Sequence, residues 1–380
     1  MRRRACRGAS VVGLGSSATL YSLSTFQPRC DCIALTPKEA EAITTTDLPT
    51  LAIDAMGGDH APQEPVGGAL RVAAEGVARV LLVGDEARLR PLVAQPSPAV
   101  EIVHAPDVVG MDEAPSDALN RRDSTSMGVG ARLVKEGRAQ ALLSAGNTGA
   151  LMAISLFTIG RLQGIRRPAI AVLWPTRKAP VLVLDSGANA DSKPEYLVQF
   201  ATMGSLYMQH AVQRSSPRVG LLNIGGEAGK GNALVNAVFP ILEKSGLNFV
   251  GNVEPTGMLA GSVDVAVADG FVGNIALKTG EAVAEMMLAL LKAGVEAGGA
   301  RAKLGALLLK PVLKGLKSQI DQSDYGGAPL LGLHGLVIKA HGRANAHAVF
   351  NAAKVAVLGV KSGVVQRIAE SIKATKEGAQ

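Results

Sequence analysis

From Leu51 onward the chain alternates short apolar runs with polar, glycine-rich turns: "LAIDAMGGD", "VLLVGD", "ALLSAGNTGA", "VLVLDSGANAD", "GLLNIGGE", "NFVGNVE" and "VDVAVADGFVGN". Runs of four to six apolar residues without alternation predict strands covered on both faces. Helix-length segments separate most of them, so the pattern predicts an α/β protein with a mostly parallel sheet and helices on both faces. Ser192 and Glu195 have capping-box spacing around Pro194 and predict a helix start before "YLVQFATMGSLYM". Residues 148–162, "TGALMAISLFTIGRL", are apolar all round and predict a buried helix. In residues 300–320, "ARAKLGALLLKPVLKGLKSQI", Lys303, Lys310, Lys314 and Lys317 fall near one helical face. Leu304, Leu307, Leu308, Val312 and Leu316 cover much of the rest, and Pro311 is expected to kink or divide this helix. No long linker or repeat interrupts residues 49–370, which predicts one compact unit between an N-terminal extension (1–48) and a C-terminal tail (371–380).

Composition narrows the picture. Nearly half of the 380 residues are apolar and 44 are glycine, which suits Val/Leu/Ala strands joined by glycine turns. The net charge of +7 misleads if spread evenly, because Arg2, Arg3, Arg4, Arg7 and Arg29 lie in the first 30 residues, which carry no acid. The body is near neutral, so a nucleic-acid partner is not expected. All three cysteines, Cys6, Cys30 and Cys32, also lie in the leader. A cysteine nucleophile, a thiolate metal site and a disulfide framework are thereby excluded from the body. The leader is Arg-rich and acid-poor at its start, as in an organellar transit peptide, and an over-extended bacterial start has the same look.

Distinctive polar residues gather where the predicted strands end: Asp54, Asp59 and His60; Asn147 and Thr148; Asp185, Asn189 and Asp191; Glu227 and Lys230; Asp269 and Asn274. In an open parallel sheet the carboxyl ends of strands share one edge, where ligands bind. Neighbouring glycines, Gly57 and Gly58 among them, let backbone N–H groups approach an anion, aided by helix N-termini. Ordinary turn chemistry explains "SAGNTGA" or "DSGANADSKPE" alone, since Gly, Asn, Asp and Ser populate turns anyway. The Asp59–His60 pair fits a base, a metal site or a capped turn, and no regular metal spacing occurs, so no metal and no cofactor is expected. "GGEAGKGN" fails as a nucleotide loop: Gly225 stands one residue too close to Gly229-Lys230, and Gly231 replaces the hydroxyl residue. Lys230 is then either a surface lysine or a cation held at the ligand edge. Asn274 is a helix cap, an amide donor, or both.

Together, "IDAMGGDHAP", "SAGNTGALM", "GRLQGIRRPA", "LDSGANADSKPEYLVQFATMGS", "RVGLLNIGGEAGKGN", "DGFVGNIALKTGE", "YGGAPLLGL" and "VIKAHGRANAHAVF" resemble the phosphate acyltransferase family of phospholipid synthesis, from about Leu51 to Val365. The resemblance implies a fold similar to phosphotransacetylases and the isocitrate and isopropylmalate dehydrogenases, and a homodimer. It also implies transfer of a long-chain acyl group from acyl carrier protein to orthophosphate, for glycerol-3-phosphate acylation by a downstream acyltransferase that is a further possible partner. Catalytic roles carry over to Lys230 and Asn274, and phosphate contacts are expected among Asp54, Gly57, Gly58, Asp59, His60, Asn147, Thr148, Asp185, Asn189 and Asp191. Such a member is cytoplasmic and peripheral to the membrane, or stromal in a plastid if residues 1–48 are a transit peptide.

Two surfaces follow. An acidic carrier needs a basic dock, for which Arg161, Arg166 and Arg167 are the candidates; Arg121, Arg122, Arg177 and Lys178 are other exposed-looking cations. The 300–320 segment suits an anionic bilayer through Leu304, Leu307 and Leu308, or else packs at a dimer interface. The alternatives are a coenzyme A-dependent short-chain phosphotransacetylase, a nicotinamide-dependent decarboxylating dehydrogenase, which the lack of a dinucleotide fingerprint disfavours, and a non-catalytic acyl-carrier or lipid-binding scaffold.

Overall fold

The computed structural model describes residues 48–93, 97–320 and 322–377. The Arg-rich leader and its cysteines lie outside them. Eleven strands form one sheet: β1 (Thr50–Asp54), β2 (Arg79–Gly84), β3 (Val100–His104), β4 (Ala141–Ser144), β5 (Ala169–Trp174), β6 (Val181–Leu184), β7 (Val219–Leu222), β8 (Phe249–Val253), β9 (Val265–Val267), β10 (Ala328–Leu331) and β11 (Leu336–Lys339). Their order is β3-β2-β1-β4-β11-β10-β5-β6-β9-β7-β8. Most neighbours are parallel, as the unalternating apolar runs require, and β1, β4, β6, β7 and β9 are almost wholly buried.

The expectation of a single ligand edge fails here. β10 is antiparallel to both β11 and β5, and β5 is antiparallel to β6. Three reversals in succession leave the block β3-β2-β1-β4-β11 running opposite to the block β6-β9-β7-β8. The carboxyl ends of the two blocks therefore point towards opposite edges. What brings residues of both blocks together is the middle of the sheet, where β5 and β10 form the floor of a cleft.

Two of the large cores lie on either side of that middle. One packs helices Gln63–Ala74 and Ala346–Lys361 against β1, β2, β4 and β11 through Val66, Val72, Val349, Phe350 and Val357. The other packs helices Pro194–His210 and Val364–Glu377 against β6, β7 and β9 through Phe200, Met203, Tyr207, Ile368 and Ile372. The last helix thus runs across the boundary placed at residue 370.

Three local readings need correction. Helix Pro194–His210 begins with Pro194 in its first turn as expected, but Lys193 is its N-cap and no side chain caps it; Glu195 instead meets Arg166 at 3.6 Å. The helix after Asn147 ends at Thr158, and only one face is buried, since Phe157 is 65 % exposed. Pro311 sits inside a continuous helix, Gly299–Ile320, which pairs with the long helix Gly270–Ala297 as a projecting arm. The Leu316 and Lys317 side chains lie outside the described residues.

Candidate active site

A cleft of about 1020 Å³ opens over β5 and β10. Its first wall comes from the segments after β1, β4 and β11 (Asp59, Thr148 and His341) and from Lys339 at the end of β11. Its second comes from the turn after β6 (Ser186, Gly187) and from helix Gly270–Ala297. Along that helix Asn274, Leu277, Lys278, Glu281, Ala284 and Leu288 recur at helical spacing and line the cleft as one stripe. Ile170 and Val172 of β5 supply an apolar floor. The site therefore has a polar end and an apolar trough.

The glycines of "DGFVGN" explain how Asn274 gets there. A Cβ on Gly270 would lie 2.6 Å from the Asn189 carbonyl oxygen, and one on Gly273 only 1.9 Å from that of Asp185. Only glycine lets the helix start rest directly on the Asp185–Asn189 turn. Asp269, not Asn274, is the N-cap, its carboxylate accepting from Val272 N at 2.8 Å. Asn274 is thus freed from capping, and its side chain abuts Gly187 at the cleft rim.

The two strand-end aspartates are engaged within their own turns. Asp54 is buried beneath the Gly57 turn, accepting from Met56 N at 3.1 Å and from the Ser144 hydroxyl at 2.7 Å. Asp185 is fully buried and accepts from Ile170 N, Ala188 N and Asn189 N, and from the Asn189 amide at 2.9 Å. Burial raises both carboxyls above the usual carboxylate range, opposed by those hydrogen bonds. Neither lines the cleft. Asp54, Asp185 and Asn189 hold the turns in shape.

The remaining expected contacts divide. Asp59 and Thr148 reach the cleft; Gly57, Gly58, His60, Asn147 and Asp191 are not among its lining residues. Gly57 and Gly58 shape the turn over Asp54, with Gly58 at φ +103° where a side chain would be strained. Asn147 caps its helix through Ala150 N and donates to the carbonyls of Met111 and Glu113 at 2.8 and 2.9 Å, so it ties two loops together. His60 and Asp191 are exposed. Lys230 is exposed on the loop after β7, outside the cleft lining, while Asn223 Nδ2 donates to its carbonyl at 3.0 Å and pins the backbone. Arg161, Arg166 and Arg167 share one exposed turn leading into β5, where Arg161 Nη1 donates to the Arg166 carbonyl at 2.8 Å. Leu304, Leu307 and Leu308 all stand on the outer surface of the arm. Among the described residues no group of three His, Cys, Asp or Glu is placed to hold a metal.

A family model described as fatty acid synthesis protein matches residues 49–367. Curated relatives named phosphate acyltransferase align over most of the chain: that of Moorella thermoacetica is 49% identical over 86% of this chain and 97% of its own length. That of Myxococcus xanthus is 46% identical over 85% and 93%. The chain belongs to the phosphate acyltransferase family. Solved structures similar in fold include a phosphotransacetylase from Streptococcus pyogenes, with TM-score 0.56 and 15% identity over 83% of this chain and 94% of that one. A branched-chain phosphotransacylase from Enterococcus faecalis superposes with TM-score 0.51 and 14% identity over 82% and 99%.

In this phosphate acyltransferase family member the residue pattern concealed three cleft groups: Lys278, Lys339 and His341. Signals for them existed. Lys278 follows Asn274 by four residues, one helical turn along the same face. Lys339 is the lone charge ending the apolar strand "LVIK", and His341 begins the turn after it. Burial and the neighbouring Lys278 and Lys339 charges lower the His341 pKa.

Proposed function

We propose that the chain transfers a long-chain acyl group from the thioester of acyl carrier protein to orthophosphate, releasing an acyl phosphate that feeds glycerol-3-phosphate acylation. The observation that carries this reading is the joint lining of one cleft by an amide (Asn274), cationic groups (Lys278, Lys339) and an apolar trough (Ile170, Val172, Leu277, Leu288). The name carried by the relatives supports phosphate as the acceptor.

The chemistry needs little from the protein beyond placement. Orthophosphate is already anionic near neutral pH, so one of its oxygens attacks the thioester carbonyl carbon without a strong base. A C–O bond forms, the carbonyl electrons move to oxygen, and the collapsing adduct expels the thiolate, which takes up a proton. The body offers no cysteine to form an acyl-enzyme, consistent with direct transfer. Holding the anion in line with the carbonyl and donating to the developing oxyanion are the tasks left. Asn274 suits the second by position, and Lys230, exposed between Gly229 and Gly231 on the loop after β7, is the cation assigned to offset phosphate charge.

Around this centre the reading adds a basic dock for the acidic carrier at Arg161, Arg166 and Arg167, next to the start of β5. It adds peripheral membrane contact by the arm, whose Leu304, Leu307 and Leu308 are 60%, 62% and 74% exposed. It also adds a homodimer, for which Phe271, Ile275, Met286, Met287 and Leu290 on the companion helix offer uncovered apolar surface. No single helix among the described residues is long and apolar enough to cross a membrane. Incubating the purified protein with palmitoyl carrier protein and phosphate, then trapping with hydroxylamine, is expected to yield the hydroxamate of the fatty acid. Absence of product with the carrier thioester, but formation from acetyl coenzyme A, would refute the donor.

A further inference from the structure

Lys339 ends β11 with its ammonium partly buried in the cleft wall. It donates to the Ala145 carbonyl at 3.4 Å and to the Ala340 carbonyl, which uses two of its three protons and leaves one for a ligand. No carboxylate forms an ion pair with it among the described residues. The nearest acids are engaged or set back: Asp54 is held by Ser144 and backbone N–H groups, and Asp59 sits on the cleft rim. Across the cleft stands a second cation, Lys278, bonded to Glu281 at 2.8 Å, and the turn after β11 adds His341 and Arg343. Lys278 is exposed and already paired with Glu281, whereas Lys339 is drawn out of water, and a part-buried ammonium facing another cation is unfavourable unless an anion fills the space between them. Burial first, then Lys278, lowers the Lys339 pKa to about 8, with Asp54 and Asp59 acting in the other direction.

We propose that Lys339, with Lys278 facing it across the cleft, is the seat of the phosphate nucleophile and aims its oxygen at a carbonyl held beside Asn274. This rests on the phosphate-transfer reading above and deepens it, giving the nucleophile a cationic partner on the strand framework rather than on the Lys230 loop. Lys339 is charged below about pH 8 and neutral above. Affinity for phosphate is therefore present at neutral pH and lost as pH rises through that value. Lys278, Asp54 and Asp59 are the charged groups that act on it, and Glu281, Glu285, His341 and Arg343 line the same cleft.

Phosphate kinetics with a fixed concentration of palmitoyl carrier protein test the seat. Lys339→Met should raise KM for phosphate about thirtyfold or more, the cost of deleting one partner of a desolvated charge pair. KM for the thioester should stay within about twofold, because uniform loss of binding is confined to the substrate that touched the residue. In the wild type, kcat/KM for phosphate should fall above about pH 8. Lys339→Arg should remove that fall, since a guanidinium remains charged; a fold-holding role for Lys339 would not produce this change. Equilibrium dialysis of radiolabelled inorganic phosphate, with no thioester present, separates this proposal from the reading it rests on. If the wild type yields no trappable acyl phosphate, the transfer reaction fails, and the seat still stands or falls on phosphate binding alone. Equal phosphate affinity in wild type and Lys339→Met, or an unchanged alkaline fall in Lys339→Arg, overturns the proposal.

Discussion

Lys230 and Lys339 both follow carboxyl ends of strands, one in each block of the sheet, yet they are different instruments. Lys230 stands eight residues beyond β7, its backbone bound by Asn223 and flanked by Gly229 and Gly231 at φ +86° and +100°, with its side chain in solvent. Lys339 is itself the last residue of β11, cannot move without the sheet, and lies partly buried in the cleft. Glycine enrichment made the first conspicuous in sequence and left the second unnoticed. The contrast teaches that glycine marks where a backbone turns, whereas the environment of a side chain depends on strands that meet it from elsewhere in the chain.

The largest effects are expected from removing the loop and helical partners of the reaction. Asn274→Ala should reduce acyl-phosphate formation about a hundredfold or more, roughly 3 kcal/mol of barrier, the usual loss for one oxyanion donor. Its thermal midpoint should stay close to wild type, because the side chain lies at the cleft rim rather than in a core. Lys230→Ala should also lose most activity while folding normally. Near-wild-type turnover in Lys230→Ala would leave the reaction to the cleft cations Lys339 and Lys278 and turn the comparison into a choice. Stopped turnover in both lysine variants would mean that loop and framework grip the same anion.

Next in size is the joint that sets Asn274 in place. Gly273→Ala puts a methyl group 1.9 Å from the Asp185 carbonyl oxygen, so the helix start must move off the turn. Overpacking of this kind costs about 1–3 kcal/mol, read as a lower thermal midpoint together with reduced turnover. Activity at the wild-type level would show that Asn274 need not be placed so closely.

The same joint shows what was legible in the sequence. Apolar runs located β1, β2, β4, β6, β7, β8 and β9, and the polar turns after them are real turns. Strand direction was harder, because a buried apolar run looks alike running up or down. Its signal lay in connection length: six residues separate β5 from β6, and four separate β10 from β11. Parallel strands need crossovers of about a dozen residues or more, so "WPTRKAPV" already demanded a reversal. The aspartates were hard to read for a related reason. A carboxylate at a strand end satisfies backbone N–H groups as readily as it meets a ligand, and only burial tells the two apart. Asp54 and Asp185 are buried, while Asp59 is exposed in the cleft.

A smaller effect is expected on the arm. Leu304→Glu together with Leu308→Glu should abolish flotation with anionic vesicles while leaving turnover in vesicle-free solution unchanged, since both side chains are exposed and neither lines the cleft. Undiminished flotation would remove the membrane role and leave this apolar face to a second copy of the chain.

The smallest effect should come from the basic turn before β5, and it depends on ionic strength. Arg161 is occupied in shaping that turn through the Arg166 carbonyl, so it is a poor probe of docking. Arg166 is 3.6 Å from Glu195 with its side chain 62% exposed, a pairing that water weakens and that leaves its charge open to a partner. Reversing Arg166 and Arg167 to Glu also sets two acids beside Glu195. At low salt this should raise KM for the acyl carrier severalfold without changing kcat or KM for phosphate, because rim charges act chiefly on encounter. Raising ionic strength to about 1 M shortens the screening length to roughly 3 Å, and the two proteins should then become indistinguishable. The turn leads directly into the strand that floors the cleft, and the Asn189 amide joins its end to the Asp185 turn by donating to the Pro168 carbonyl at 2.9 Å. A carrier seated on these arginines would therefore present its thioester to the Asn274 side of the cleft, opposite Lys339. A KM for the carrier that is unchanged at low salt would remove the docking role from these arginines and leave the direction of the thioester's approach to another surface.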